Sequence, residues 1–216
     1  MQYKAIIFDL DGTLLDTIED LADSMNAVLE KKGLPTHSLE EYKYFVGNGM
    51  HKLVERALPA SFRNETSVKE HASLMRQEYQ KRWSNKTRPY EGIPELLGKL
   101  EEKGILMTIL SNKADDFTKA IIAKLLPHWK FEVVFGERPS VPRKPDPSAA
   151  LEIAGILGLQ PKDFILLGDS ESDMITATAA GMYGIGALWG FRTEDELISS
   201  GAKAVIHHPL DLLIFL

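Results

Sequence analysis

The sequence places two aspartates side by side at the point where an apolar run ends. Asp9 and Asp11 follow the run formed by residues 3–8, and Gly12 and Thr13 come directly after them. Two unit charges ~4 Å apart repel each other by roughly 4 kcal/mol at an effective dielectric constant near 20. Another part of the chain must therefore supply the positive charge that makes this pair tolerable.

Polar side chains also follow two later apolar runs. Ser111 and Asn112 come after one run, and Asp169 and Asp173 come after another. Lys144 lies between them in the proline-rich connection RKPDP, which cannot continue a helix. Because ligands of open α/β sheets gather beyond the carboxyl ends of the strands, we expect all these side chains at one sheet edge.

The charge of this group predicts a metal site. Four carboxylates would face the single ammonium group of Lys144; they belong to Asp9, Asp11, Asp169 and Asp173. Oxygen ligands without cysteine are typical of a hard divalent cation, and Mg²⁺ is the first choice. A metal and a lysine at the same site would make the paired aspartates tolerable.

The donors at this edge predict a phosphate site beside the metal. Thr13, Ser111 and Asn112 offer hydroxyl and amide groups, and Lys144 adds a positive charge. Gly12 allows main-chain amides to approach an anion closely. Mg²⁺ is commonly bound next to phosphate oxygens, so a small phosphorylated ligand fits this set.

Alternating strand and helix patterns predict the fold that positions these groups. Short apolar runs read as buried strands over residues 3–8, 105–110, 164–167, 183–188 and 204–206, with a weaker one over 133–135. Helical spacing relates Ile93, Leu96, Leu97 and Leu100, then Phe117, Ile121 and Leu125, then Leu151, Ala154 and Gly158. The pattern predicts an α/β core, a mainly parallel sheet with helices on both faces.

Residues 16–86 interrupt this alternation with helical patterns alone. The spacing predicts one helix that starts at a capping pair of Asp16 and Glu19. It predicts another helix whose apolar face is formed by Val68, Ala72, Met75, Tyr79 and Trp83. An insert of ~70 residues is too long for a loop in a compact domain. We therefore expect a core of residues 1–15 and 87–216 and an inserted all-helical cap of residues 16–86.

Composition narrows the possible partners. The chain has 216 residues, a formal charge of −6 and no cysteine, so disulfides and thiol catalysis are excluded. The negative charge argues against a nucleic-acid partner. No signal-peptide pattern and no apolar run of ~18 residues is present, so we expect a cytoplasmic protein without membrane association, as a monomer or homodimer.

The order of these motifs resembles the haloacid dehalogenase-like superfamily, phosphatase branch. The matching segments are DLDGT, Ser111, Lys144 and GDSESD. YFVGNGMHKLVERAL, RPYEGIPELLGKLEEKG and SNK are most similar to the phosphoglycolate phosphatase group. The resemblance covers nearly the whole chain and implies a Rossmann-like core, a helical cap and a Mg²⁺-dependent phosphatase that acts on a small phosphate monoester.

The resemblance also implies roles for individual residues. Asp9 would be the nucleophile that forms an aspartyl-phosphate, and Asp11 the general acid and then the base. Ser111 and Lys144 would hold the phosphoryl group. The metal ligands would be the Asp9 side chain, the main-chain carbonyl of Asp11, and Asp169, while Asp173 would support the metal through water or orient Lys144.

Alternatives remain open at this stage. A sugar phosphomutase or a pyrophosphatase of the same superfamily would keep the same motifs, and a non-catalytic binding protein could keep the fold. A dehalogenase is disfavoured because that chemistry lacks the second aspartate, and Asp11 is present.

One specificity hypothesis concerns the cap. Met50, Leu53, Val54 and Ala57 recur at helical spacing, so a helix should begin just after Gly47, Asn48 and Gly49. The first turn of a helix has unpaired N–H groups and a partial positive charge. We therefore expect this turn to receive a second anionic group, the carboxylate of 2-phosphoglycolate. The alternative is an ordinary glycine-rich helix start without a ligand.

Overall fold

The computed structural model describes residues 3–216, and the chain forms two compact units. One unit comprises Met1–Leu15 and Pro89–Leu216, and the other comprises Asp16–Arg88. The second unit ends at Arg88, two residues after the predicted end of the helical insert at residue 86. The short strands that pair at these boundaries were not predicted, since two residues are too few for a periodic pattern.

A parallel sheet of six strands forms the centre of the first unit. The strands of the chain are β1 (Ala5–Phe8), β2 (Leu15–Asp16), β3 (Arg88–Pro89), β4 (Leu106–Ala114), β5 (Val133–Glu137), β6 (Phe164–Gly168), β7 (Tyr183–Ala187) and β8 (Ala204–Ile206). The sheet order is β5-β4-β1-β6-β7-β8. In register, Ile7 of β1 lies between Thr108 of β4 and Leu166 of β6. The predicted α/β class is confirmed.

Nine α-helices accompany the strands in the described part of the chain. They are α1 (Ile18–Lys31), α2 (Leu39–Phe45), α3 (Gly49–Ala57), α4 (Glu65–Arg82), α5 (Ile93–Glu102), α6 (Asp115–Leu125), α7 (Ser148–Leu157), α8 (Glu171–Ala180) and α9 (Glu194–Ser199). None of the helices in residues 3–216 has the length and apolar character needed to cross a membrane.

The core lies between the central strands and the helices. Ala5 and Ile7 of β1 share one buried cluster with Phe164 of β6 and Ile153 of α7. Ile6 is equally buried, and as an alternate residue of the strand it faces the opposite side of the sheet. A strand that is buried on both faces explains the continuous apolar run at the start of the sequence.

Two expectations about the first unit are corrected. β4 runs to Ala114, so Ser111 and Asn112 lie within the strand and not after it; the pairing with β5 shifts register between Leu110 and Ala114. In α7, Leu151 is 42% exposed while Ile153 is buried. Ala154 of the predicted face is buried as expected, whereas Gly158 is the C-cap of the helix. The buried face is formed by Ala149, Ala150, Ile153 and Ala154.

The second unit is helical, as its periodicity predicted. Its first helix is not capped as expected, because the N-cap is Thr17, whose side chain makes no capping hydrogen bond. Asp16 instead pairs with Arg88 at 3.3 Å. The buried carboxylate of Asp20 accepts hydrogen bonds from the main-chain N–H groups of Lys86 and Thr87. The acidic residues near the start of α1 thus fix the segment that leaves the unit.

Candidate active site

Three buried carboxylates converge at the carboxyl ends of β1 and β6. Asp9 directly follows β1, Asp169 directly follows β6, and Asp173 lies in the first turn of α8. One oxygen of each lies within 4.8 Å of the others, and the residues are at most 8% exposed. The parallel sheet therefore brings together side chains that are about 160 positions apart in the chain.

Lys144 is the cation at the centre of this cluster. Its Nζ donates to Oδ1 of Asp9 at 2.8 Å, to Oδ1 of Asp173 at 2.6 Å and to the carbonyl of Leu110 at 2.7 Å. The side chain is only 2% exposed. A buried ammonium needs such compensation, since an uncompensated charge in the interior is very costly.

The site strongly perturbs proton affinities. Burial, followed by the charge of Asp173, raises the pKa of Asp9 to about 7. Burial and then the charge of Asp9 also raise the pKa of Asp169 well above its ordinary value. Burial alone would lower the pKa of Lys144, but the charges of Asp173 and Asp9 outweigh it and raise that pKa. The cluster therefore carries more negative charge than Lys144 can neutralise.

Asp11 lies beside this cluster and has a partner that the sequence analysis did not find. Its carboxylate oxygens accept hydrogen bonds from Nζ of Lys113 at 3.0 and 3.1 Å. The lysine side chain is 6% exposed and the aspartate side chain 13%. Lys113 was noticed only as a neighbour of Ser111 and Asn112, because nothing in the local pattern indicates a contact with residue 11.

The donor set fits a divalent cation. Lys113 and Lys144 supply two ammonium groups for four carboxyl groups, so acidic side chains outnumber the lysines at this edge. All the charged donors to a metal here are carboxylate oxygens, the ligands that Mg²⁺ and other hard cations prefer. Asp9, Asp169 and Asp173 are the carboxylates close enough together to share one ion.

The predicted phosphate-binding residues lie at the same edge, but each is also engaged with a neighbour. Thr13 Oγ1 donates to Asp169 Oδ1 at 3.3 Å. Ser111 Oγ accepts from the main-chain N–H of residue 113 at 3.2 Å. Asn112 Nδ2 donates to the main-chain carbonyl of Lys144 at 3.0 Å. Asn112 thus fixes the backbone that carries the buried lysine.

The start of α8 orients Asp173. Ser170 is the N-cap residue, and its main-chain N–H and hydroxyl both donate to Oδ2 of Asp173, at 3.1 and 2.5 Å. The other oxygen, Oδ1, accepts from Lys144. Because both oxygens are engaged, the geometry suits a residue that positions the lysine at least as well as one that binds metal directly.

Three glycines leave room for the aspartates. A methyl group on Gly12 would overlap the carboxylate of Asp169, and one on Gly168 would overlap Asp173. Gly12 also has φ of 87°, a conformation that L side chains rarely adopt. Gly190 approaches from a different loop, where a methyl group would overlap Asp169 and the carbonyl of Gly12.

The loop that carries Gly190 was not identified from the sequence. Trp189 Nε1 donates to the carbonyl of Thr13 at 2.9 Å, and the main-chain N–H of Phe191 donates to Asp169 Oδ2 at 2.8 Å. A tryptophan such as Trp189 would by its residue type alone be expected to serve packing. The only available signal was its position after the β7 run, at the same edge of the sheet as the aspartates.

Comparison with known proteins decides the family. The haloacid dehalogenase-like hydrolase family matches residues 6–187, a span that includes every aspartate and lysine of the site. The chain belongs to this family. The resemblance predicted from the motifs is therefore confirmed.

Relatives of this hydrolase cover nearly its whole length. A phosphoglycolate phosphatase of Aquifex aeolicus is 31% identical over 210 residues, which span 97% of this chain and 95% of the relative. A phosphoglycolate phosphatase of Mesorhizobium japonicum is 34% identical over 211 residues, 96% of this chain and 92% of the relative. The solved structure of a candidate phosphoglycolate phosphatase from Lactobacillus delbrueckii subsp. bulgaricus has a TM-score of 0.91 at 29% identity and covers 98% of this hydrolase and 97% of that chain.

The turn expected to set specificity belongs to the helical unit of the hydrolase. Helix α3 begins at Gly49, one residue earlier than predicted, and Asn48 is its N-cap without a side-chain capping bond. Gly47 and Gly49 both have positive φ, 117° and 81°. Asn48 Oδ1 accepts instead from Arg56 at 2.7 Å. Arg56 thus helps to hold this turn.

We expect the close approach of Gly190 to matter for metal binding. In a Gly190→Ala variant the new methyl group would displace Asp169, so affinity for Mg²⁺ should fall by about tenfold, as found when groups that orient a metal ligand are disturbed. Stability should fall by about 1–3 kcal/mol through overpacking. Calorimetric Mg²⁺ titration and thermal unfolding measure the two effects.

Gly155→Ala is the matched control. Apart from its chain neighbours and the local backbone of helix α7, no atom lies within 4 Å of the methyl group it would add. Alanine should stabilise that helix by up to about 1 kcal/mol and leave metal affinity unchanged. Equal Mg²⁺ affinity in both variants would show that Gly190 does not support Asp169.

Proposed function

We propose that this phosphoric monoester hydrolase cleaves 2-phosphoglycolate to glycolate and inorganic phosphate with the help of Mg²⁺. The hydrolase class follows from the family, and the curated relatives that match its full length are named phosphoglycolate phosphatases. The observation that carries the proposal is the buried cluster of Asp9, Asp169, Asp173 and Lys144, whose excess of carboxylates suits a divalent cation that would in turn attract a phosphoryl group.

Asp9 is proposed to be the nucleophile. A carboxylate oxygen of Asp9 would form a bond to phosphorus while the bond from phosphorus to the leaving oxygen breaks, which gives an aspartyl-phosphate. Water would then attack phosphorus, release phosphate and restore the carboxylate. Lys144, bonded to Asp9, fixes the direction of this carboxylate and offsets charge as the phosphoryl group arrives.

Asp11 is proposed to move the protons. It would protonate the leaving oxygen in the first step and accept a proton from the attacking water in the second. Thr13, Ser111, Asn112 and Lys144 remain the proposed phosphate-binding residues. Asn112 is better supported as a residue that positions Lys144, since its amide already bonds the lysine backbone.

The metal assignment follows the carboxylates. Asp9 and Asp169, with the main-chain carbonyl of Asp11, would hold Mg²⁺, and Asp173 would act directly or through water. A bound divalent cation would offset the negative charge of the phosphoryl group at this edge. The proposed cellular location is the cytoplasm, and the proposed partner is a small phosphorylated metabolite.

The turn at Gly47, Asn48 and Gly49 is our candidate for recognition of the substrate carboxylate. Gly47 precedes α3 and Gly49 is its first residue, both with positive φ, and the main-chain N–H groups of this first turn suit an anion. Variants of Asn48 would also disturb Arg56, and side chains at Gly49 would strain the backbone. The clearer first measurement is therefore the kcat/KM of the wild-type enzyme for 2-phosphoglycolate relative to that for a neutral analogue.

A substrate comparison tests the proposed function. Release of phosphate is measured from 2-phosphoglycolate, from the neutral analogue 2-hydroxyethyl phosphate, from pyrophosphate and from sugar phosphates, with Mg²⁺ and with excess chelator. We expect kcat/KM to be about 10- to 100-fold higher for phosphoglycolate than for its neutral analogue, because a hydrogen bond to a charged group contributes ~1.5–3 kcal/mol. Preference for pyrophosphate, or phosphoryl transfer between sugars, would contradict the proposal, as would full activity in chelator.

Asp11→Asn tests the proton-transfer role. The variant cannot protonate a leaving group, so its kcat should fall by about 10²–10⁴-fold on alkyl phosphates. The loss should be much smaller on an activated aryl phosphate, whose leaving oxygen needs little help. Steady-state kinetics on both substrates measure this ratio, and equal losses would argue against Asp11 as the acid.

A further inference from the structure

Lys113 is a buried lysine of the site to which neither the motifs nor the comparisons give a role. It lies near the end of β4, is 9% exposed, and approaches Asp11 across 102 positions of sequence. A lysine so far from solvent requires an anionic partner. The pair could stabilise the fold as an ion pair, or it could position Asp11 for proton transfer.

The main chain of Lys113 is fixed on both sides. Its N–H donates to Ser111 Oγ at 3.2 Å, and its carbonyl accepts from Thr118 Oγ1 at 3.2 Å. Gly136 of β5 packs so closely that a methyl group there would overlap the carbonyl of Lys113. The ammonium group is therefore carried on a backbone that has little freedom to move.

The contact with Asp11 defines the orientation of the carboxylate. Nζ donates to both oxygens at nearly equal distances, 3.0 and 3.1 Å. This charge-assisted contact to both oxygens restrains where the carboxylate lies relative to β4. Asp11 needs such support because its carboxylate does not belong to the cluster of Asp9, Asp169 and Asp173.

We infer that Lys113 is a positioning residue that holds the Asp11 carboxylate in the orientation from which it exchanges protons with the leaving oxygen and with water. This inference rests on the proposed function, since it presupposes that Asp11 is the acid and base. Proton transfer demands placement within hydrogen-bond reach, so loss of orientation should slow the chemical step and leave substrate binding unchanged.

A double-mutant cycle with Lys113→Met and Asp11→Asn tests the inference. Methionine keeps the length and apolar stem of lysine and removes the ammonium group. With an alkyl phosphate, Lys113→Met should lower kcat by about 10- to 100-fold with KM changed less than about threefold. The loss on an activated aryl phosphate should be smaller. In the Asp11→Asn background, Lys113→Met should cause no further loss of kcat, because the effects of substituting two residues that act together are not additive.

Two further variants separate positioning from folding. Lys113→Arg retains a charged donor that can bond two carboxylate oxygens and should recover part of the lost kcat. Lys119→Met removes an exposed lysine from a surface pair with Asp115 and should leave the kinetics unchanged. If Lys113→Met does not fold, Lys113→Arg against the same Asp11→Asn background still measures whether residue 113 acts through Asp11.

The outcomes are distinguishable. An equal fold-loss from Lys113→Met in both backgrounds would overturn the inference, because Lys113 would then act independently of Asp11. A selective rise in KM for 2-phosphoglycolate would also overturn it, since Lys113 would contact the substrate directly. If Asp11→Asn alone shows no dependence on the leaving group, the proposed role of Asp11 in the reaction fails first, and this single variant identifies that case.

Discussion

Asp9→Asn is expected to show no turnover above background on any phosphate ester. The amide is isosteric with the carboxylate but lacks the nucleophilic oxygen, so no bond to phosphorus can form. Mass spectrometry of the acid-quenched enzyme should detect the added phosphoryl group in the wild type and none in the variant. A phosphorylated Asp9→Asn protein would place the nucleophile at another residue.

The same variant should be more stable than the wild type when metal is absent. Burial and the charge of Asp173 raise the pKa of Asp9 from 3.8 to about 7. Between about pH 4 and pH 7 the folded protein keeps a proton that the unfolded chain has released, so stability falls as the pH rises through this window. Asparagine at position 9 does not titrate, so the variant lacks this contribution to the pH dependence of stability.

Thermal unfolding in chelator at several pH values measures this effect. The Tm advantage of Asp9→Asn should be small near pH 4 and largest at pH 8. Asp195→Asn, which changes an exposed carboxylate in the first turn of α9, should show no such trend. A wild type that gains stability from pH 4 to pH 8 relative to Asp9→Asn would reverse the sign and contradict the raised pKa.

Lys144→Met is expected to abolish activity and to cause the largest loss of stability. The change leaves the buried carboxylates of Asp9 and Asp173 without the ammonium group that lies 2.8 and 2.6 Å from them. Breaking a buried ion pair by removing one partner typically costs about 3–5 kcal/mol. For a chain of this size that corresponds to a fall in Tm of about 6–20 °C at pH 8 in chelator.

Two comparisons make the result specific. Lys4→Met removes a surface pair with Asp163, whose lysine is 60% exposed, and should change stability by less than about 1 kcal/mol. The double variant Lys144→Met with Asp173→Asn removes one of the stranded charges and should regain stability without regaining activity. If the double variant is no more stable than Lys144→Met, charge imbalance is not the cause of the loss.

The sequence alone determined the fold class and which carboxylates meet at one edge of the sheet. Strands of a parallel sheet are buried on both faces, so they appear as continuous apolar runs, and polar residues at their ends stand out. Asp9 and Asp169 could therefore be assigned to one edge without coordinates. Lys144 could be added because a proline-rich connection and an excess of carboxylates both pointed to it.

Only the tertiary structure decided how the site residues are paired. Lys113 with Asp11, Asn112 with the Lys144 carbonyl, and Phe191 with Asp169 are contacts between residues 22 to 102 positions apart. No local periodicity encodes such contacts, because they depend on the extension of β4 beyond Leu110 and on the path of the loop after β7. Local patterns specify which segments become strands. Which side chains contact each other depends on which atoms lie close together once the strands and loops have packed.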